Sequence, residues 1–114
     1  MATYQVNKKG GTFRISLDAI TVGANTFVVP AGFKIDSIFY KKIGTVAGTI
    51  KIGSAGDSGL DNIVESVALS TDNGALIKPT IVTDIFSLTA DTTCTATIAT
   101  GGTLDLFIVM QKVN

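Results

Sequence analysis

The chain is expected to fold as an all-β, jelly-roll-like antiparallel β-sandwich of about eight strands. Three observations predict this. Val, Ile and Thr make up 39 of the 114 residues. These side chains lose rotamer freedom in helices and pack well on pleated surfaces. Glu, a good helix former, occurs once. Turn signals recur every 8–14 residues, the spacing of a sandwich or small barrel. At 11.8 kDa the chain fits one domain, 1–114, and at 46% hydrophobic it can build a core without staples. Residues 1–11 are polar, carry Lys8 and Lys9, and are expected as a flexible or partner-binding arm.

The elements follow in order. Gly10-Gly11 opens a strand over residues 12–17, where Phe13, Ile15 and Leu17 alternate with Thr12, Arg14 and Ser16. Gly23-Ala24-Asn25 reads as a turn and 26–29 as a short strand. Pro30-Ala31-Gly32 turns the chain, with Pro presetting φ and Gly relieving strain. Residues 33–43 form a long strand. Strict alternation puts Phe33, Ile35, Ser37, Phe39, Lys41 and Ile43 on one face. Ile38 and Tyr40 fall on the other, with Lys34, Asp36 and Lys42. After a turn over 44–48, residues 49–52 form a strand.

The segment 54–62, SAGDSGLDN, reads as a loop, and 63–69 as a strand. A polar turn over 70–74 precedes an irregular stretch, 75–79. Residues 80–88 are expected as a short bent strand, and 92–100 as an alternating Thr-rich one. The strand signal is strongest over 103–113. Leu104, Leu106, Ile108 and Met110 share one face, and Phe107, Val109 and Val113 lie on the other. A strand apolar on both faces is central, or lies between a core and a partner. Edge control in so many strands calls for a closed or double-layered architecture.

Charge and residue types narrow function. Nine basic and nine acidic residues give zero formal net charge. Nucleic-acid binders carry a basic excess, so no nucleic-acid partner is expected. Lys8-Lys9 and Lys41-Lys42 read as strand ends or edge guards. Zero net charge suits a protein that lives inside an assembly. The longest charge-free run, 19–33, contains Gly23, Asn25, Pro30 and Gly32 and is not a membrane span. The N-terminus lacks the apolar segment of a signal peptide, so synthesis in the cytoplasm without classical export is expected.

No His is present for general acid–base work, and Cys94 has neither a disulfide partner nor a His to activate it. No catalytic residue and no cofactor are expected, and the chain does not read as an enzyme. Asp57, Asp61 and Asn62 are weak metal candidates, because oxygen ligands at close spacing suit Ca²⁺. Their spacing does not match a calcium-loop pattern, and turn chemistry alone accounts for Asp, Ser and Gly there. The glycine pairs lack the G-K-[ST] ending of a phosphate loop. Sugar-binding platforms usually use Trp, which is absent.

Three segments carry a family likeness. The first is Phe27-Val28-Val29-Pro30-Ala31-Gly32-Phe33-Lys34-Ile35-Asp36-Ser37-Ile38. The second is Gly48-Thr49-Ile50-Lys51-Ile52-Gly53 with its Gly/Asp/Ser loop. The third is Thr100-Gly101-Gly102-Thr103-Leu104-Asp105-Leu106-Phe107-Ile108-Val109. Their order, over residues 25–113, resembles small β-sandwich structural proteins of tailed bacteriophage virions, of the head-decoration, head-fibre, or tail and baseplate types. The resemblance implies a virion location, homo-oligomers (often trimers) and docking onto capsid or tail proteins. It carries over no site residues, because such proteins work through surfaces. Candidate interface residues are Phe107, Val109 and Val113, or alternatively Ile38 and Tyr40. The rival reading is a carbohydrate- or host-surface-binding module, lectin-like or a fibre tip, acting through Asp57, Ser58, Asp61 and Asn62.

Overall fold

A computed structural model describes residues 3–9, 12–43, 48–70, 74–81, 86–87 and 90–112. Among these residues there is no helix and there are ten strands. They are β1 (Thr3–Lys9), β2 (Thr12–Ile20), β3 (Gly23–Val29), β4 (Phe33–Ile43), β5 (Thr49–Ser54), β6 (Val64–Ala68), β7 (Leu76–Ile77), β8 (Phe86–Ser87), β9 (Thr92–Ala99) and β10 (Thr103–Lys112). They form two antiparallel sheets. The six-stranded sheet runs β1-β2-β10-β4-β7, with β8 also paired to β4. The four-stranded sheet runs β3-β9-β5-β6.

This order is that of a jelly roll. From β2 onward the chain alternates between sheets, except at β5–β6 and within β7–β8. Partners distant in sequence, β2 with β10 and β3 with β9, therefore pair. The expected jelly-roll-like sandwich is thus the architecture, with one extra two-residue strand, β7, and an additional edge strand, β1. Residues 3–9 of the expected arm are that edge strand. β1 pairs with β2 from Thr3↔Asp18 to Lys9↔Thr12. The stretch 75–79, expected as irregular, contains β7, and only β8 is described within the bent strand expected over 80–88.

The core fills the space between the sheets. β10 supplies Leu104, Leu106, Ile108 and Met110, all fully buried. β2 adds Ile15, Leu17 and Ile20, and the facing sheet adds Phe27, Val29, Ile50, Ile52, Cys94, Ala96 and Ile98. Each set repeats at every second residue, as a pleated strand buried on one face requires. Breaks in this period coincide with bulges.

Two bulges correct the sequence reading. On β4, Val109↔Ser37 is followed by Met110↔Ile35, so Asp36 is an extra residue. One extra residue moves every later side chain to the opposite face. Ile35 therefore shares the inner face with Ile38 and Tyr40, while Phe39 points outward. Ile38 and Tyr40, offered as alternative interface residues, are core residues at 0% and 2% exposure. The Tyr40 hydroxyl accepts the Ser70 N–H at 2.8 Å, so its polar tip is satisfied inside. On β2, Leu106↔Leu17 is followed by Leu104↔Ile20. Ala19 takes up the extra residue at φ 53°, in the left-handed region, and its N–H donates to Asp105 Oδ1 at 2.8 Å. This bulge keeps Ile20 inside and extends β2 past the expected end at residue 17.

The turn at 30–32 forms as expected. Phe33 N–H donates to the Pro30 carbonyl at 3.1 Å, and Gly32 supplies φ 84°, as a type II turn demands. Ala31 N–H donates to Asp91 Oδ1 at 3.0 Å, which ties this turn to the start of β9. By contrast, Gly23-Ala24-Asn25 opens β3 instead of forming a separate turn. Asn25 Nδ2 donates to the carbonyls of Thr21 at 3.1 Å and Gly23 at 3.2 Å.

Replacement of Ile108 by Ala should lower unfolding free energy by about 2–5 kcal/mol, the range for deleting buried methylenes. Tyr40→Phe should cost about 0.5–1.5 kcal/mol, because it removes the hydroxyl that accepts the Ser70 N–H. Urea denaturation followed by circular dichroism checks both. A change below about 0.5 kcal/mol for Ile108→Ala would place that side chain outside the core.

Candidate interaction surface

The two outer sheet faces differ in chemistry. On the four-stranded sheet, β9 turns Thr93, Thr95 and Thr97 outward, and β5 turns Thr49 and Lys51 outward. That face is polar. On the six-stranded sheet, β10 turns Asp105, Phe107 and Val109 outward, each half-buried. Register sets Phe107 between Ser16 on β2 and Phe39 on β4. Val109 lies between Arg14 and Ser37 on the next rung.

These residues build a shallow apolar depression of about 300 Å³, lined by Arg14, Phe39, Leu76, Phe107 and Val109. Cations border both rings. The Arg14 guanidinium carbon lies 5.8 Å from the Phe107 ring centroid, and Lys78 Nζ lies 5.8 Å from that of Phe39. Both distances fall within cation–π range. Leu76, on the edge strand β7 opposite Lys41, is 60% exposed. An apolar centre with a charged rim is the anatomy of a docking surface.

Two sequence-predicted interface residues, Phe107 and Val109, thus come together here. Val113 lies outside the described residues. Arg14, Phe39 and Leu76 were missed as surface partners. Strict alternation along 33–43 had grouped Phe39 with the buried Ile35, and the Asp36 bulge separates them. Leu76 is brought to this face by the pairing of β7 with β4, a contact its own sequence does not signal.

The loop 54–62 spends its polar groups on itself. Asn62 Oδ1 accepts the Ser54 N–H at 2.8 Å, and Asn62 Nδ2 donates to Ser54 Oγ at 2.9 Å. Asp57 Oδ2 accepts the Asp61 N–H at 2.9 Å. Lys51 Nζ donates to the Gly59 carbonyl at 2.9 Å. The loop folds back so tightly that a Cβ on Gly53 would collide with the Leu60 backbone, so this position needs glycine. Among the described residues, no group of three or more Cys, Asp or Glu is placed to hold a metal ion. Asp57 closes the loop on the backbone four residues on and Asn62 ties it to Ser54 eight residues back, which accounts for their presence. Ser58 and Asp61 are exposed on the same loop.

Cys94 is buried on the inner face of β9, and its thiol lies 4.0 Å from the Thr92 carbonyl. Burial pushes its pKa up to about 11, so it stays a neutral thiol at physiological pH. Among the described residues, no helix is long and apolar enough to cross a membrane. Comparison with protein-family models, with curated proteins and with solved structures finds no match in any of the three.

Two outcomes follow from this chemistry. The Asp61 N–H, above all, holds the Asp57 carboxyl below its ordinary 3.8. A depressed carboxylate supports the loop above the unfolded pKa and loses that support as pH falls through the folded one. The Asp61 amide resonance should therefore titrate with a midpoint below 3.8, and a midpoint at or above 3.8 contradicts the bond. Cys94 should resist thiol reagents in the native protein at pH 8 and react fully after denaturation. Rapid native modification would show the thiol to be accessible.

Proposed function

We propose that this chain is a non-enzymatic structural protein of a tailed bacteriophage virion. It works as a homo-oligomer that docks on capsid or tail proteins. The single observation that carries this reading is the apolar outer face of the six-stranded sheet, centred on Phe39, Phe107 and Val109. Apolar area removed from water supplies roughly 25 cal/mol per Å² before the costs of association. Zero net charge adds no long-range repulsion between copies. The jelly roll also hosts viral capsid domains, which is support by fold analogy alone. So is the order of segments over residues 25–113, which resembles that of small virion proteins.

The same fold hosts lectin domains, which keeps a carbohydrate- or host-surface-binding role as the second reading. That role would act through the exposed Ser58 and Asp61 of the loop 54–62. The bonds that already occupy Asp57 and Asn62 speak against it.

Light scattering at tens of micromolar should give a mass above one chain, and purified virions should contain the protein in fixed stoichiometry. A strict monomer that is absent from virions would refute the proposal. A glycan array run with and without Ca²⁺ should show no binding, and binding lost in an Asp61→Ala variant would move the assignment to the second reading.

A further inference from the structure

The outer face of the six-stranded sheet carries an ordered charge pattern around its apolar centre. On β2, Arg14 and Asp18 lie four residues apart, on either side of the Phe107 rung. On β4, Asp36 and Lys41 flank the same rung in the opposite sense. Asp36 is the bulge residue, so its five-residue separation from Lys41 spans about the same four rungs. All four side chains are exposed. Arg14 and Lys41 therefore occupy one diagonal of the face and Asp18 and Asp36 the other, with Asp105 on the Lys41 rung and Lys78 over Phe39. Phe107 and Phe39 sit at the crossing.

Such a pattern is complementary to itself. A two-fold rotation about an axis lying in the face along the Phe107–Phe39 rung exchanges the two ends of every strand. Each positive corner then meets a negative one. We propose that this face is an isologous interface between two copies of this chain. In it, Arg14 meets the partner's Asp18 and Lys41 meets the partner's Asp36, each pair occurring twice. Phe107 and Phe39 of the two copies pack on the axis. A two-fold axis along β10 also matches the charges but sets Asp105 against the same residue of the other copy. The rung axis instead sets Asp105 against the partner's Val109 and beside its Arg14, and the like charges it brings toward each other are the two Lys78 ammonium groups at the rim, each beside a Phe39 ring.

The size of the face fits a modest dimer. β10 spans ten residues, about 33 Å, and the strands β1 to β7 span about 19 Å across. The face thus offers about 600 Å² per copy, near the lower bound for specific complexes. Opposite charges at four points disfavour a two-fold axis along either diagonal, which would set like charges together, and limiting register in this way is the usual contribution of rim charges. This inference rests on the homo-oligomer reading and specifies its contact, which is two-fold and not the three-fold contact that the resemblance implies.

Sedimentation equilibrium of the full chain, with circular dichroism to confirm folding, tests it. Arg14→Glu and Asp18→Arg should each weaken dimerisation about tenfold. The double variant Arg14→Glu/Asp18→Arg should return the dissociation constant to within about threefold of the original. Arg14 and Asp18 of one copy are about 13 Å apart, so rescue can come only from contact between copies. A dimer or trimer insensitive to both single changes, or singles not rescued by the double, would overturn this interface and leave the homo-oligomer reading standing. A monomer up to hundreds of micromolar would remove both.

Discussion

The placement of β10 is the constraint on which the rest depends. This strand pairs with β2 on one side and β4 on the other, over most of its length. A central strand must satisfy both neighbours with one register, and a slip of one residue would turn its entire apolar set outward. The inner set from Leu104 to Met110 fixes that register, because it is fully buried against the facing sheet. Once the register is set, the outer rungs are set as well. Phe107 faces Phe39, and Arg14 lies beside Val109. Core packing and the chemistry of the outer face therefore follow from one alignment.

The bulges reconcile this alignment with the neighbouring strands. Without the extra residue at Asp36, either Ile35 or Ile38 and Tyr40 would face solvent. Without Ala19 in the left-handed region, Ile20 would leave the core. Each bulge leaves an acidic side chain on the outer face: Asp36 on β4 and Asp18, next to Ala19, on β2. The same local irregularities thus preserve the interior and carry negative charge on the outer face of the six-stranded sheet.

The loop 54–62 shows the opposite case, in which suggestive residues are explained by local structure. Two aspartates and an asparagine in a glycine-rich segment invite a metal or sugar reading. Their geometry shows two of them closing the loop on its own backbone. Cys94 is similar, since a lone thiol invites a chemical role and burial removes it. The two outer faces differ in chemistry: Thr and Lys outside β9 and β5, aromatic and aliphatic groups outside β10 and β4.

Much of the fold was legible in the residue order. The β-branched surplus pointed to the all-β class, because those side chains lose χ1 freedom in a helix and fit the pleated, half-buried surface of a strand. The period-two pattern over 103–113 identified the dominant strand, its inner set, and Phe107 and Val109 as outward. The turn at 30–32 was legible because Pro fixes φ locally and Gly permits the positive φ the turn needs. The tertiary structure alone decided which residues oppose one another across strands. It turned Tyr40 inward and Phe39 outward, made an edge strand of residues 3–9, and brought Arg14, Asp18, Asp36 and Lys41 around one rung. The reason is physical: alternation is a property of one strand, whereas bulges and register arise only when two strands meet.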